Sequence, residues 1–511
     1  MTNATPTRRR PTLDDVYLFC AVALVGLRPL LTPVPPNDFW WHIATGRTIW
    51  NSGAVPLVDA FSFTRADEPY FNQPWLAQVL MYGLHSAGGL PLMIIVQALV
   101  IALSYALLLR LCIIRSGRPR LCVALLLLAV LPLSFDNWTI RPQSYVFLLF
   151  VGLLTVLSDY RRARPPAPRV EEGPGVRGAE PAVRSAAPLW LLPLIMVLWV
   201  NMHGSFVLGF VLIAIVGAGA LLDAWPNLRA ALPHLRALTL WGAIAALATL
   251  LNPRGPGVIG YVRDLLGTSA VTNLVTEWAP PTVRDINGAL FFLFVIFTLC
   301  VLAYARQRPD TTDIMLTLAF LWLALGATRN IVWLGFVAAP LLAVQLASIL
   351  PAPKGPLSAG EPRLNALLIG VVGLLVVLGL PWVKPLLLPP NVGALVAEET
   401  PVAAVRALRA LPVRPQRLFH ALPYGSYLIW AAPEQPVFID PRIELYPLQQ
   451  WRDYINLAQA NDLPELLKKY QIDGVLLNVK QQAPLLAALE RAAGWRVVYA
   501  DDITVLLVRD L

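Results

Sequence analysis

The sequence predicts an α-helical polytopic membrane protein with about 11 transmembrane helices and a small α/β domain at its C-terminal end. Two observations predict this class. Hydrophobic residues make up 57% of the 511 residues, charged residues make up 14%, and the mean hydropathy is +0.61. Soluble domains are about half apolar and about a quarter charged. The apolar residues also form runs long enough to span a bilayer, and these runs stop near residue 383.

The apolar runs give the order of the predicted spans. They cover residues 16–31, 90–109, 121–133, 145–157, 189–200, 206–222, 238–251, 289–304, 314–327, 331–350 and 364–382. The stretch 75–85 is shorter, and we expect either an interfacial helix or the start of the second span. The first run has no small-residue cleavage site, so it should remain as a membrane helix. The four cysteines lie in or beside apolar runs and predict neither a disulfide framework nor a metal site.

The distribution of basic residues predicts the orientation of the chain. With a cytoplasmic N-terminus, the inner loops hold most of the arginines, as the positive-inside rule requires. The net charge of +9 is then explained by topology, and no nucleic-acid partner is expected. The longest inner loop, residues 158–188, is rich in Pro, Arg, Gly and Ala and is predicted to be disordered.

The same orientation places the loops of unusual polarity on the outer side. They are the large first outer loop, residues 37–75, and the short turns that carry Arg141, His203, Glu277 and Arg329. All of them belong to the predicted transmembrane domain, residues 1–383. A protein with its chemically capable side chains on one membrane face is expected to act at that face.

Residues 384–511 have a different pattern and are predicted to form the α/β domain. Short strands are predicted at 417–420, 437–440, 474–477 and 495–499, with helices at 451–461, 464–470 and 484–493. The size of this segment is normal for a domain. The parity of the preceding helices places it outside the membrane, on the same side as the polar loops.

An acidic residue beside two tryptophans and a histidine follows the first span. Asp38 is a candidate general base that takes a proton from an acceptor hydroxyl; the alternative is a helix-capping aspartate. Trp40 and Trp41 are typical of aromatic anchors at the headgroup level, and we favour that interpretation for them. His42 shares a helical face with Asp38, and is expected to orient the carboxylate or to contact phosphate.

Arginines at the ends of apolar spans are the next candidates. A charge at this position is costly unless it is paired, reaches the interface or serves a ligand. Arg141 and Arg329 lie in tight outer turns, and a guanidinium fork suits phosphate oxygens. Arg28 lies at the outer end of the first span, where it either joins them or extends to the interface.

The roles of two further residues in the outer loops have more than one interpretation. His203 either contacts substrate or hydrogen-bonds a neighbouring loop. Glu277 either binds a sugar hydroxyl, holds a metal together with Asp38, or is a solvated side chain. Asp59 follows Pro56 at a spacing that indicates a loop-shaping turn.

Several short motifs resemble those of a known family. They are Asp38-x-Trp40-Trp41-His42 with Gly46, Gly53, Pro56, Asp59, Phe61, Ser62, Thr64 and Trp75-Leu76, then Arg141-Pro142-Gln143, Trp199-x-Asn201-x-His203-Gly204, Leu251-Asn252-Pro253-x-Gly255, Glu277-Trp278, Gly425-x-Tyr427-Leu428-x-Trp430 and Asp440-Pro441-Arg442. Their order resembles bacterial membrane proteins related to the GT-C glycosyltransferases, which include protein O-mannosyltransferases and the lipid A aminoarabinose transferase. The resemblance covers nearly the whole chain.

The resemblance implies a multi-helix enzyme of the bacterial cytoplasmic membrane with a lipid-linked donor. The donor would be a polyprenyl-phosphate sugar, and the acceptor a lipid, a glycan or a protein deprotonated by Asp38. Inversion of the anomeric centre is usual for such enzymes. Arg141, Arg329 and His203 are our candidates for holding the donor phosphate. Relatives often carry paired acidic residues in the first loop, but Asn37 stands beside Asp38, which puts a divalent cation in doubt.

Two other classes of function compete with this hypothesis. A transporter, flippase or glycan-assembly scaffold would need no catalytic base, but a transporter should show internal repeats and charged, broken helices near the middle of the membrane. The charges of this chain cluster instead at one face. A glycan polymerase or ligase would use the same kind of donor and differ in its acceptor, which the sequence does not identify.

Overall fold

The protein is a multi-pass membrane protein, as the sequence predicts. A computed structural model describes residues 10–163, 188–267, 276–351 and 357–510. Among these residues, six helices are long and apolar enough to cross a membrane, and four more apolar helices have 10–17 residues. The packed interior of the helices is built from Leu, Val, Phe and Trp side chains, with Trp199, Trp333 and Phe150 near its centre.

The described residues before Lys384 are mostly helical. The helices are α1 (Leu13–Leu31), α2 (Asp38–Ser52), α3 (Trp75–Ser116), α4 (Pro119–Leu125), α5 (Pro142–Arg162), α6 (Leu191–Met202), α7 (Val207–Asp223), α8 (Leu232–Ala248), α9 (Gly257–Gly267), α10 (Ile286–Tyr304), α11 (Thr311–Gly326), α12 (Ile331–Ile349) and α13 (Pro362–Gly379). A π-helical turn (Leu126–Val130) and a 3-10 turn (Leu131–Asn137) follow α4.

The loop predicted at residues 158–188 begins later in the structure than in the prediction. Helix α5 continues to Arg162, so residues 158–162 are helical. Arg161 donates to Asp313 over 2.7 Å and also pairs with Asp310, which holds the last turn of the helix in place. Residues 164–187, the rest of the loop predicted to be disordered, lie outside the described residues.

Helix α3 consists of two segments. The helical geometry is interrupted at Gly88 and at Gly89, which has φ 61° and ψ −160°, a conformation that glycine adopts readily. The predicted short stretch 75–85 therefore forms a separate first segment, which packs on α2 through Gln78. The second segment enters the apolar interior of the bundle.

A buried ion network joins three helices at the ends that lie away from the polar loops. Asp313, at the start of α11, is 3% exposed. It accepts hydrogen bonds from Arg115 at the end of α3 and from Arg161 at the end of α5. Two guanidinium groups compensate the cost of burying this carboxylate, so the ends of α3, α5 and α11 are held together.

The region after α13 contains short helices and one sheet. Its elements are α14 (Lys384–Leu387), α15 (Pro390–Gly393), α16 (Val402–Arg409), β1 (Leu418–His420), α17 (Leu422–Ala431), α18 (Leu448–Ala458), α19 (Leu463–Tyr470), β2 (Gly474–Asn478), α20 (Ala483–Arg491), β3 (Trp495–Ala500) and β4 (Thr504–Arg509). The strand order is β1-β2-β4-β3, with β1 parallel to β2 and the other pairs antiparallel. The predicted α/β character of this region is confirmed. The sequence analysis did not predict β4 or α17. The domain boundary after residue 383 remains a prediction.

The predicted strand at 437–440 is wrong. Val437 makes isolated bridges to Ser62 and Leu418, but the ladder extends no further. The next backbone groups are used by side chains: the Phe438 amide donates to His420 Nε2 over 3.1 Å, and its carbonyl accepts from Thr64 Oγ1 over 2.7 Å. Side-chain partners therefore replace the ladder hydrogen bonds.

A buried arginine joins the first outer loop to the C-terminal region. Arg442 Nη2 lies 2.6 Å from both Asp59 Oδ1 and Asp440 Oδ2, and Tyr446 donates to Asp440 over 2.6 Å. The three charged residues are at most 2% exposed. Asp59 also accepts from the backbone amides of Phe61 and Ser62, so it does shape its turn. We call Asp59, Asp440 and Arg442 the Arg442 triad.

Replacing Arg442 with alanine is expected to lower the free energy of unfolding by about 3–5 kcal/mol, because two buried carboxylates would lose their cation. Thermal unfolding of the detergent-purified protein measures this loss. Arg409→Ala is the control, since it breaks an exposed pair with Glu434 and should cost less than about 1 kcal/mol. Equal melting temperatures for the two variants would contradict a structural role for the triad.

Candidate active site

Asp38 is the first residue of α2, and it does not cap the helix. The N-cap position is Asn37, and its side chain makes no capping hydrogen bond. The Asp38 side chain is 36% exposed, and its Oδ2 lies 3.8 Å from Arg141 Nη1. The carboxylate is therefore directed at a guanidinium and remains accessible to a ligand.

The two tryptophans after Asp38 are buried in protein contacts, so the membrane-anchor interpretation is wrong. Trp40 and Trp41 are 4% and 5% exposed. Trp40 Nε1 donates to the Pro35 carbonyl over 3.0 Å, and its ring packs edge-on against Tyr427 of α17. The Trp41 amide donates to Ser426 Oγ over 2.9 Å. These tryptophans fix α2 against the C-terminal region.

His42 is a buried neutral imidazole. Its ring lies 3.8 Å from the Trp41 ring, and its Nδ1 lies at a hydrogen-bond distance of 3.1 Å from Gln78 Nε2. Gln78 also accepts from Asn72 Nδ2 over 2.7 Å, so the two amides and the imidazole form one buried hydrogen-bonded chain. Burial, with the nearby charge of Arg141, lowers the pKa of His42 to about 3. His42 is thus a hydrogen-bonding group and carries no charge at neutral pH.

Arg141 lies between two carboxylates. It precedes Pro142, the first residue of α5, in an extended conformation. Its Nη1 donates to Glu277 Oε1 over 2.7 Å and faces Asp38. Glu277 is therefore an ion-pair partner of Arg141, and its side chain is 40% exposed. A guanidinium occupies the position between Asp38 and Glu277 that a shared metal would need, so this geometry does not favour the metal interpretation.

The environment separates the pKa values of the two carboxyl groups. Partial burial raises the pKa of Asp38 and the charge of Glu277 adds to this effect, while the charges of Arg141 and Arg329 oppose it incompletely. Burial also acts on Glu277, but the charges of Arg141 and Arg329 and the Arg141 hydrogen bond outweigh it and hold its pKa below the ordinary value. Glu277 is then the counter-ion of the site, and Asp38 is the stronger base.

Arg329 and His203 complete the cluster from two other turns. Arg329 lies 4.8 Å above the Trp278 ring and donates to Gln143 Oε1 over 3.3 Å. His203 Nδ1 accepts from the Ser205 amide over 3.1 Å, a hydrogen bond within its own turn and not to a neighbouring loop. Burial, followed by the charges of Arg329 and Arg141, holds the pKa of His203 well below its ordinary value, so His203 also lies within range of both arginines.

Arg28 contacts the turn that leads to Arg141. It donates to the Phe135 carbonyl over 3.3 Å, and its guanidinium lies 4.2 Å from the Phe135 ring and 5.9 Å from the Trp138 ring. Cation–π contacts of this kind stabilise a guanidinium near an apolar span. The structure therefore gives Arg28 partners within the protein.

No family model and no curated protein matches the sequence. Among solved structures, the chain is similar to the oligosaccharyltransferase from Archaeoglobus fulgidus tethered with an acceptor peptide containing the NVT sequon. The TM-score is 0.52 at 12% identity, over 97% of this chain and 74% of that one. The protein has a GT-C-like fold.

ArnT from Cupriavidus metallidurans is also similar. Its structure bound to undecaprenyl phosphate gives a TM-score of 0.49 at 14% identity, over 96% of this chain and 97% of that one. Its apo structure gives a TM-score of 0.41 at 13% identity, with the same coverage. The similarity to the oligosaccharyltransferase confirms the GT-C-like fold predicted from the motifs of this sequence.

The GT-C-like fold brings together the predicted site residues and three residues that the sequence did not indicate. Asp38, Arg141 and Glu277 form direct ion pairs, and Arg329, His203 and His42 lie within range of their charges. The additional residues are Tyr70, Tyr261 and Glu444. Burial and the charge of Glu444 raise the pKa of both tyrosines, and burial and the charge of Asp38 raise the pKa of Glu444. Glu444 lies two residues after the Asp440-Pro441-Arg442 motif. Its closeness to this motif is the feature of the sequence that could have indicated it as a site residue.

A close approach of α2 and α3 fixes the position of the site. A Cβ at Gly46 would lie 2.1 Å from the Gln78 carbonyl oxygen and 2.9 Å from Tyr82 Cβ. Neither neighbour can yield without a shift of the helices. The absence of a side chain at Gly46 therefore permits the contact that sets α2, and Asp38 at its start, against α3.

Gly46→Ala is expected to lower the melting temperature, since it separates α2 from α3 and breaks the His42–Gln78 hydrogen bond. Gly83→Ala on α3 is the matched control, because a Cβ there would meet Trp50 Cζ3 at an ordinary 3.6 Å. It should leave stability unchanged or raise it by about 0.5–1 kcal/mol. Thermal unfolding compares them, and a tolerated alanine at Gly46 would contradict the close approach.

Proposed function

We propose that the protein is a membrane glycosyltransferase that moves a sugar from a polyprenyl-phosphate donor to an acceptor hydroxyl at the outer face of the cytoplasmic membrane. The observation that carries the proposal is the ion cluster of Asp38, Arg141 and Glu277 in a GT-C-like fold. The cluster lies where the chain enters α2 and α5, beside the apolar helices that a lipid donor would follow. The excess of arginine in the alternate loops supports the outer placement.

Asp38 is the general base of the proposed reaction. Its carboxylate takes the proton of the acceptor hydroxyl as that oxygen attacks the anomeric carbon of the donor. The bond between the anomeric carbon and the phosphate oxygen breaks, and the phosphate leaves with the electron pair. A single displacement of this kind inverts the anomeric centre. Asp38 suits this role because its raised pKa makes it a better proton acceptor than an ordinary aspartate.

Arg141 and Arg329 hold the phosphate of the proposed donor. The departing phosphate gains negative charge, and guanidinium groups placed in advance stabilise that charge. Glu277 orients Arg141 through the 2.7 Å ion pair, while stacking on Trp278 orients Arg329. His42 and His203 are neutral, so they serve as hydrogen-bonding groups and add no charge that would hold the product phosphate in the site.

Asp38→Asn is expected to lower kcat by at least about 100-fold, which is the lower end of what a positioned base contributes. The assay uses protein reconstituted in vesicles with a panel of radiolabelled polyprenyl-phosphate sugars and acceptor-containing membranes. Asp67→Asn, an exposed change in the same outer loop, should retain full activity. Full turnover by Asp38→Asn, with normal insertion, would exclude Asp38 as the base.

The pH profile should report the charges around Asp38. The reaction needs ionised Asp38, so kcat should fall as the pH falls through its pKa, which lies above the ordinary value of about 4. Glu277 raises this pKa and Arg141 lowers it. Glu277→Gln should therefore move the acid limb to lower pH, and Arg141→Gln should move it to higher pH. Shifts in the same direction for both variants would contradict the assignment.

A further inference from the structure

The side chain of Gln143 connects two outer turns that are far apart in the sequence. Gln143 is the second residue of α5 and is buried. Its Nε2 donates to Asn137 Oδ1 over 3.4 Å, and its Oε1 accepts from Arg329 Nη2 over 3.3 Å. A guanidinium can only donate hydrogen bonds, so Arg329 fixes the orientation of the amide. The proposed mechanism leaves this side chain without a role.

These contacts join the two arginines of the proposed phosphate site in one hydrogen-bonded chain. Asn137 Oδ1, which accepts from Gln143, also accepts from Arg141 Nη2 over 3.4 Å. The chain therefore runs from Arg141 through two amides to Arg329. Two guanidinium groups repel each other, and the amides between them are uncharged. The amides thus hold the two positive charges at a fixed separation and neutralise neither of them.

The backbone of each turn is held by other hydrogen bonds. In the turn before α5, Gln97 of α3 donates to the Trp138 carbonyl over 2.9 Å. In the other turn, the Thr328 amide donates to the Ala279 carbonyl over 3.0 Å. Loss of the Gln143 amide should therefore release the arginine side chains and leave the backbone of both turns in place.

Arg329 has a directional contact as well as a stacking contact. Its guanidinium lies 4.8 Å from the Trp278 ring. A cation–π contact of this kind fixes the distance from the ring face, but the guanidinium can still turn in its own plane. A hydrogen bond has a preferred direction, so Gln143 Oε1 selects one orientation in that plane. An arginine that is already fixed loses less freedom when it binds a phosphate.

We propose that Gln143 is a positioning residue of the phosphate site, which holds Arg329 beside Arg141 so that both guanidinium groups act on one donor phosphate. Donors that are placed in advance stabilise the charge on the leaving phosphate without a cost of reorganisation. A carboxylate at position 143 would also accept from Arg329, but it would neutralise the charge that the phosphate needs. This inference rests on the proposed glycosyltransferase function, because it assigns a role in the same site.

The preference of the protein for a phosphate over an alcohol measures this role. The probes are polyprenyl phosphate and the polyprenol of the same chain length, which differ only in the phosphate. Their dissociation constants are measured for the detergent-purified, full-length protein, and the ratio of the two constants isolates the phosphate contacts. Gln143→Met keeps the length of the side chain and lacks the amide. It should reduce the wild-type ratio about fivefold, as expected for loss of one hydrogen bond to a charged group.

Arg329→Gln tests whether Gln143 acts through this arginine. It should lower the ratio at least as much as Gln143→Met does. The double variant should lower the ratio no further, because a positioning residue has no effect once its arginine is absent, whereas a purely structural role would give effects that add. Gln143→Glu keeps an acceptor for Arg329 and should lower the ratio more than Gln143→Met. It provides the same test if Gln143→Met does not fold.

Gln345→Met is the matched control. Gln345 is also buried, and it lies on α12 about 20 Å along that helix from its first residue. The control variant should therefore keep the wild-type ratio. The melting temperature of each variant checks its fold.

Two kinds of failure are distinguishable in this design. If the wild-type protein consumes no polyprenyl-phosphate sugar, the proposed function is wrong. The role of Gln143 is wrong, and the transfer function stands, if the protein consumes a donor but binds polyprenol as tightly as polyprenyl phosphate. The same conclusion follows if Gln143→Met keeps the wild-type ratio, or if its effect and that of Arg329→Gln add.

Discussion

The burial of Arg442 between Asp59 and Asp440 is the interaction on which the rest of the site depends. It fastens the first outer loop to the C-terminal region at a point where all three side chains are shielded from water. Such a cluster stabilises the fold only while it is complete, because each carboxylate would be costly to bury alone. The adjacent backbone pairing of Phe61 and Phe63 with Val437 follows from this attachment.

Helix α2 is held between the C-terminal region on one side and α3 on the other. Trp41 bonds to Ser426 of α17 on one side, and Gly46 allows contact with Gln78 of α3 on the other. Asp38 begins this helix, so its position relative to Arg141 is set by the packing of α2 as a whole. In the proposed reaction, this packing would hold the base in place for proton transfer.

The two carboxylates of the ion cluster show how one environment produces two functions. Asp38 and Glu277 both lie near Arg141, yet Asp38 has a raised pKa and Glu277 a lowered one. Burial raises the pKa of both groups, but Glu277 lies 2.7 Å from Arg141 and accepts its hydrogen bond, whereas Asp38 lies 3.8 Å from it. The guanidinium charge therefore outweighs burial at Glu277 and not at Asp38.

Features that depend on local sequence were predictable, and features that depend on distant partners were not. Apolar runs indicated the helices, and the alternation of polar loops indicated that Asp38, Arg141, Glu277 and Arg329 share one end of the bundle. The burial of Trp40 and Trp41 depends on α17, which lies far along the chain. The strand predicted at 437–440 failed for the same reason, because its partners are side chains from distant segments.

Breakage of the bond between sugar and phosphate is the most direct test of the proposed glycosyltransferase function. The wild-type protein is reconstituted in vesicles with acceptor-containing membranes and with a polyprenyl-phosphate sugar that carries one label on the sugar and another on the phosphate. We expect the labels to separate, with polyprenyl phosphate released in an amount equal to the sugar transferred. A donor that crosses the bilayer with both labels still joined would contradict this function and would indicate a transporter.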